Sequence, residues 1–159
     1  MNTKSEQISI AVPDLAGTMA LGRRLGRLLF PGAVIGLIGP LGAGKTHFVR
    51  AVAEGLEIPD SRVVSSPTFV LIQEYPARLP IYHFDAYRLR NPREFAELGV
   101  DEYYNAGGVC LIEWADRVTE CLPRERMDVV IEAAGPDSRV FLFQPCGDRH
   151  QDVAREALF

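Results

Sequence analysis

The sequence predicts an α/β fold built around a phosphate-binding loop. Residues 33–38 are an apolar run of strand length, residues 39–46 read Gly-Pro-Leu-Gly-Ala-Gly-Lys-Thr, and residues 47–56 have a helical pattern. Further helical and strand-like segments follow on both sides of this unit. Residues 68–84 and 127–143 each contain two strand-like segments separated by a short turn, which predicts antiparallel hairpins and therefore a mixed sheet.

The remaining elements are predicted from local signals in chain order. The strands are residues 8–12, 33–38, 68–75, 80–84, 109–114, 127–132 and 139–143. The helices are residues 18–30, 47–56, 91–98 and 101–104. Pro13-Asp14 ends the first strand, and Asn91-Pro92 is a helix-start signal with Gly99 suited to the helix end. The polar tail, residues 148–159, is predicted as a short helix or a frayed end.

The loop at residues 39–46 matches G-x-x-x-x-G-K-[ST], and each fixed residue has a chemical reason. Its glycines let the backbone bring N–H groups close to phosphate oxygens. The Lys45 ammonium can reach the β- and γ-phosphates, and the Thr46 hydroxyl can ligate Mg²⁺. A Gly-rich turn with an incidental lysine is the alternative, which the strand before and the helix after the loop disfavour. The predicted nucleotide-binding residues are Leu41, Gly42, Ala43, Gly44, Lys45 and Thr46.

Length and charge limit the classes of protein that can contain this loop. The 159 residues predict one domain over residues 1–159, too small for a large motor ATPase. The net charge is −4 and the isoelectric point is near 5.4, so the whole chain has no electrostatic reason to hold nucleic acid. A local basic group, which is either functional or simply a solvated segment, consists of Arg88, Arg90 and Arg93.

Cysteine usage and hydropathy predict a cytoplasmic protein. The three cysteines are an odd number without C-x-x-C spacing, as expected of reduced thiols that serve in packing. Residues 1–7 are polar and contain no apolar signal-peptide core. No apolar stretch approaches the length of a membrane span.

Two acids at the ends of predicted strands are candidates for the rest of a nucleotide site. Asp85 follows residues 80–84, Glu113 follows residues 109–112, and strand ends of this kind lie on the ligand side of an α/β sheet. Such acids are also common helix caps and salt-bridge partners. His83 shares a strand face with Asp85, and a half-buried structural histidine is the favoured interpretation. No N-K-x-D motif selects guanine, so ATP is the expected nucleotide.

The only tryptophan, Trp114, directly follows Glu113. A lone tryptophan is usually a core residue. Just past a strand-end acid, it could also lie on a surface that binds a partner.

The chain resembles the TsaE family (also called YjeE), small P-loop ATPases of bacterial tRNA threonylcarbamoyladenosine synthesis. The resemblance covers roughly residues 10–145 and consists of an ordered series of motifs. These are residues 41–46, Ser66-Pro67-Thr68-Phe69, Tyr82-His83-Phe84-Asp85, Tyr87-Arg88-Leu89, Glu97-Leu98-Gly99, Ile112-Glu113-Trp114 and Leu122-Pro123. A lone phosphate-binding loop is common to many families, whereas this series in this order is specific.

The resemblance implies roles for particular residues. Thr46 and Glu113 hold Mg²⁺, and Asp85 joins Lys45 in catalysis by positioning water or a metal-bound water. Residues 66–69 behave as a switch region in which Thr68 senses the γ-phosphate, and Trp114 is tied to function.

Further nucleotide contacts are implied for the segment 13–18 and for Asp116 and Arg139. The sequence departs from the family at Pro40, where an acid is common, and at His47 and Ala86. None of these three differences removes a residue to which the resemblance assigns a role.

The family fold is a three-layer α/β P-loop domain with antiparallel additions to its central sheet. The resemblance implies a Mg²⁺-dependent ATPase that acts with the proteins TsaD and TsaB and meets tRNA only through that assembly. A small-molecule or nucleotide kinase is the rival prediction, which would need an acceptor pocket and an arginine-bearing lid. A nucleotide-binding scaffold without hydrolysis is the third.

Overall fold

A mixed sheet of seven strands forms the centre of the computed structural model, which describes residues 6–159. Most of the polar stretch 1–7, for which no signal peptide is predicted, lies outside these residues. The strands are β1 (Ile8–Val12), β2 (Val34–Ile38), β3 (Ile72–Tyr75), β4 (Ile81–Asp85), β5 (Val109–Glu113), β6 (Arg126–Ala133) and β7 (Arg139–Cys146). The helices are α1 (Leu15–Leu28), α2 (Lys45–Gly55), α3 (Pro92–Ala96), α4 (Val100–Tyr104) and α5 (Asp148–Leu158).

The strand order β1-β7-β6-β2-β5-β4-β3 combines a parallel centre with antiparallel edges. Strand β2 runs parallel to both β5 and β6, and β5 runs parallel to β4. The pairs β3–β4, β6–β7 and β1–β7 are antiparallel. The predicted mixed sheet with hairpin strands is confirmed, and the parallel centre brings the carboxyl ends of β2, β4 and β5 to one edge.

Helices cover both faces of the sheet and complete three layers. Buried residues of α1, α2 and α5 pack with one set of alternating strand residues, which includes Ile35 and Leu111. Helices α3 and α4 pack with the opposite set, which includes Val34 and Ile112. Because successive side chains of a strand point to opposite faces, the two clusters lie on opposite sides of the sheet.

Two of the predicted boundaries that differ from the structure are explained by local hydrogen bonds. Helix α1 begins at Leu15, earlier than expected, since the Asp14 carboxylate accepts a hydrogen bond from the Gly17 N–H at 2.8 Å. Residues 68–70, expected in a strand, form a turn closed by the Leu71 N–H and the Pro67 carbonyl. Helix α3 begins as predicted, with Asn91 as its N-cap.

Glycines set the close approach between α1 and α2. A Cβ atom at Gly26 would collide with the Val52 carbonyl, and a Cβ atom at Gly22 would collide with the side chain of Ala51. Backbone atoms cannot give way as the end of a flexible side chain can. The sequence of α1 therefore fixes the position of α2, the helix that begins at the phosphate-binding loop.

The C-terminal tail is a helix rather than a frayed end. Helix α5 buries Val153, Ala154, Ala157 and Leu158 against the rest of the protein. The buried His150 ring accepts a hydrogen bond at Nε2 from the Val34 N–H at 3.2 Å. Burial, with a smaller effect of Arg149, lowers the pKa of His150 to about 4. Within residues 6–159, no helix is long and apolar enough to cross a membrane.

The neutral His150 predicts a loss of stability in acid. Its folded pKa of about 4 lies below the ordinary value of 6.5, so the unfolded chain binds the proton first as the pH falls. The contribution of His150 to the free energy of unfolding is fully present above about pH 6.5. It decreases as the pH falls toward 4, with a slope approaching about 1.4 kcal/mol per pH unit. Urea unfolding at several pH values measures this slope. In His150→Gln, which keeps an acceptor but does not titrate, this part of the slope should vanish; equal slopes would contradict the assignment.

Candidate functional site

The phosphate-binding loop has the backbone conformation that its glycines predict. Gly42 and Gly44 have φ angles of 79° and 105°, in the left-handed region that side chains disfavour. Gly44 precedes α2 without a side-chain cap, so the first N–H groups of the helix face outward from its N-terminus. Oriented N–H groups and the helix dipole together favour an anion at this position.

The loop borders a cavity of about 570 Å³ at the carboxyl edge of the sheet. Its lining includes Lys45, Thr46, Asp85 and Glu113, the four charged or metal-binding candidates, which lie in three separate segments of the sequence. Parallel pairing explains their meeting, since Asp85 of β4 is directly beside Glu113 of β5.

Lys45 places a positive charge inside this cavity. The side chain is 5% exposed, and its Nζ donates to the carbonyls of Gly39 and Pro40 at 2.5 and 2.9 Å. Burial lowers the pKa of Lys45, an effect that the negative charges of Glu113 and Asp85 oppose. Nζ also lies 4.0 Å from the centre of the Trp114 ring. These contacts hold the ammonium beside the loop.

Thr46 and Glu113 form the second part of the site. The Thr46 hydroxyl donates to Oε1 of Glu113 at 3.0 Å, and the glutamate is buried. Hydroxyl and carboxylate oxygens are the ligands that Mg²⁺ prefers. Among the described residues, no group of three or more His, Cys, Asp or Glu side chains has an arrangement that could by itself hold a metal ion. Mg²⁺ is commonly bound by one or two carboxylates together with water and substrate phosphates.

Asp85 is tied to the segment that the family resemblance identifies as a switch. Its Oδ2 accepts hydrogen bonds from Ser66 Oγ at 2.5 Å and Thr68 Oγ1 at 2.9 Å. Its Oδ1 accepts from the Tyr87 N–H at 2.8 Å. Thr68 therefore lies in the site, and the position of Asp85 depends on the conformation of residues 66–68.

Trp114 is neither a core residue nor a free surface residue. It is half-buried, lines the cavity and has a φ angle of 60°. Its ring packs on Tyr87, with 4.8 Å between ring centres. The indole thus joins the Lys45 side of the cavity to its outer rim.

Of the two further residues that the resemblance implies, only one lines the cavity. Arg139 does so, and its Nε donates to the Ala43 carbonyl at 2.9 Å. Asp116 is exposed on the 3-10 turn Ala115–Arg117 and does not line the cavity. Burial lowers the pKa of Lys45, and the Asp116 charge opposes this less than Glu113 and Asp85 do. Leu15 and Thr18, from the segment with expected adenine contacts, do line it.

Sequence reasoning missed three contributors to this site. Pro136 and Asp137 line the cavity from the turn between β6 and β7, for which the sequence shows only a turn signal. His83, expected to be half-buried and structural, is fully buried, with its Nε2 2.5 Å from Oε2 of Glu113. The shared strand face of His83 and Asp85 was the available signal, but the contact depends on the pairing of β4 with β5.

Comparison with known proteins places this site in a family. The TsaE profile, described as threonylcarbamoyl adenosine biosynthesis protein TsaE, matches residues 12–141. The tRNA threonylcarbamoyladenosine biosynthesis protein TsaE of Bacillus subtilis is 45% identical over 140 residues, which is 87% of this chain and 86% of the relative. The TsaE protein of Treponema pallidum is 40% identical over 122 residues, 77% of this chain and 89% of the relative.

A solved structure supports the same conclusion. The crystal structure of Bacillus subtilis YdiB matches with a TM-score of 0.82 and 38% identity, over 96% of this chain and 94% of that one. The family match over residues 12–141 includes the phosphate-binding loop, both strand-end acids and Trp114. The chain belongs to the TsaE family, which is involved in tRNA threonylcarbamoyladenosine biosynthesis.

Proposed function

We propose that this chain binds ATP with Mg²⁺ and hydrolyses it to ADP and phosphate, as the accessory ATPase of tRNA threonylcarbamoyladenosine biosynthesis. The observation that carries the proposal is the meeting of Lys45, Thr46, Asp85 and Glu113 in one cavity beside the phosphate-binding loop. Phosphoryl transfer depends mainly on positioning and on stabilisation of charge, and these residues supply both.

Each residue has one task in the proposed reaction. The loop N–H groups bind the phosphate oxygens, and Lys45 moves from the loop carbonyls to the β- and γ-phosphates. Thr46 and Glu113 hold Mg²⁺, which when bound neutralises charge on the phosphate oxygens. Asp85 orients the attacking water through a carboxylate oxygen. Because Ser66 and Thr68 now hydrogen-bond to Asp85, a shift of that segment frees the carboxylate for this task.

The chain is proposed to act together with the partner proteins TsaD and TsaB. It would meet tRNA only through that assembly. Three of the exposed large apolar side chains lie close to the site, with Leu41 at 72%, Phe69 at 84% and Val70 at 63% exposed. Leu41 lines the cavity, and Phe69 and Val70 follow Thr68 directly. Exposed apolar side chains next to a site often contact another protein. The net charge of −4 disfavours direct binding of tRNA.

The kinase alternative finds no support in the geometry. The arginines that could form a lid, Arg88, Arg90 and Arg93, do not line the cavity. Arg88 packs over the exposed Phe69 ring, and Arg93 pairs with Glu97 on the surface at 3.6 Å. We therefore propose that Asp85 acts on water rather than on a bound acceptor.

Replacement of Lys45 by alanine should reduce ATP hydrolysis about a hundredfold or more, because the developing charge on the phosphate oxygens loses its preorganised cation. Phosphate release from purified protein and Mg·ATP, without any added acceptor, measures this. Arg24→Ala on α1 is the control, since it removes an exposed positive charge from outside the cavity. Release equal to wild type in Lys45→Ala would remove the loop from the mechanism, and no release by wild type without an acceptor would favour a kinase.

Glu113→Ala and Asp85→Ala should fail in different ways. Loss of Glu113 should raise the Mg²⁺ concentration needed for half-maximal rate, because a metal ligand is removed. Loss of Asp85 should lower turnover while nucleotide affinity stays near normal, because the group acts on water. A Mg²⁺ titration of the rate, with nucleotide binding measured by calorimetry, separates the two. Equal loss of nucleotide binding in both variants would contradict these roles.

Trp114→Ala should weaken binding of the TsaB–TsaD pair more than it affects folding. The ring is half-buried, so the loss of stability should be smaller than the roughly 3–5 kcal/mol of a core tryptophan. Thermal unfolding and affinity for the purified pair are measured together, with Trp114→Phe as the control that keeps an aromatic ring. A large drop in melting temperature with unchanged affinity would overturn the interface role.

A further inference from the structure

Sheet register places His83 beneath the two strand-end acids. His83 and Asp85 are two residues apart on β4 and therefore share a face. Asp85 pairs with Glu113, and His83 pairs with Leu111, two residues before the end of each strand. Leu111 belongs to the core cluster on the face that α1 and α2 cover. His83 is therefore the innermost polar residue of this group, below Glu113 and away from the open cavity.

His83 is a fully buried polar residue that forms a side-chain hydrogen bond with one acid, Glu113. Its Nε2 lies 2.5 Å from Oε2 of Glu113, and the two side chains are 0% and 3% exposed. Among the described residues, its Nδ1 is buried without a hydrogen-bond partner. We assign Nε2 as the donor, since the tautomer with its proton on Nε2 can hydrogen-bond to a carboxylate that only accepts. The ring is positioned by packing and directs this single donor at Glu113.

The two oxygens of Glu113 consequently have different neighbours. Oε2 faces His83 at 2.5 Å, and Thr46 Oγ1 lies 3.0 Å from Oε1 and 3.3 Å from Oε2. A donor fixed on one oxygen sets the plane of the carboxylate and leaves Oε1 directed toward Thr46. Without that donor, a buried acceptor would lack its partner and the carboxylate would rotate more freely.

We infer that His83 is a positioning residue, which holds the Glu113 carboxylate in the orientation that binds Mg²⁺ beside Thr46. The inference rests on the proposed function, since it requires a metal at Thr46 and Glu113. His83 touches neither nucleotide nor metal and acts through Glu113. Hydrogen bonds to the ligands of a metal commonly change its affinity about 10- to 100-fold when removed, and this is the effect expected here.

Three substitutions separate the hydrogen bond from packing. The amide nitrogen of His83→Gln has the same number of bonds from Cβ as Nε2 of histidine, so it can donate to Glu113. In His83→Asn the amide nitrogen is one atom shorter and does not reach. His83→Met fills similar volume without a donor. The Gln and Asn variants form the matched pair, because both are neutral amides that differ mainly in reach.

The measurement is the Kd of ADP by calorimetry with and without Mg²⁺, together with thermal unfolding of each variant. The Kd without Mg²⁺ divided by the Kd with Mg²⁺ reports how much the metal strengthens ADP binding. The Kd without Mg²⁺ reports the integrity of the loop. In His83→Met and His83→Asn the ratio should fall about 10-fold or more toward unity. It should stay near the wild-type value in His83→Gln. The metal-free Kd should stay unchanged in all three.

Several results would overturn the inference. A wild-type ratio in His83→Asn, or an equal loss in His83→Gln and His83→Asn, would show that reach to Glu113 is irrelevant. Lower melting temperatures with unchanged ratios, or failure of all three variants to fold, would assign His83 a purely structural role. If wild type itself binds ADP no better with Mg²⁺, the proposed function fails as well, and this control distinguishes the two failures.

Discussion

Burial of opposite charges at one edge of the sheet is the constraint on which this structure depends. Lys45, Asp85 and Glu113 are each at most 5% exposed. A buried charge is costly unless it is paired or hydrogen-bonded, and here every one has partners. Lys45 binds loop carbonyls, Glu113 binds Thr46 and His83, and Asp85 binds Ser66 and Thr68. The elements that carry these residues must therefore meet with correct register.

The scaffold meets this requirement with rigid contacts. Parallel pairing of β4 and β5 places Asp85 directly beside Glu113. Helix α2 is held by the close approach of α1 at Gly22 and Gly26, which fixes Lys45 and Thr46 at its first turn. Helix α5 adds the His150 contact at the start of β2, the strand that leads into the loop. The site is thus determined by backbone packing, which tolerates little displacement.

The segment 66–70 connects the interior of the site to its surface. Ser66 and Thr68 hold Asp85, while the next residues, Phe69 and Val70, project into solvent. Any protein that covers Phe69 and Val70 would act on the same short segment that binds Asp85. This arrangement gives the proposed dependence on partner proteins a physical basis, because the exposed Phe69 and Val70 and the side chains that bind Asp85 belong to the same five consecutive residues.

Local sequence determined the phosphate-binding loop, most elements of the α/β fold and the two strand-end acids. Glycine conformation, N-capping by Asn91 and hydrophobic periodicity each depend on a few neighbouring residues, so the sequence predicts them directly. Tertiary structure alone decided that His83 touches Glu113, that Pro136 and Asp137 reach the cavity, and that Asp116 does not. It also made residues 148–158 a packed helix. These outcomes depend on strand pairing and on buried contacts between residues far apart in sequence, which no local pattern encodes.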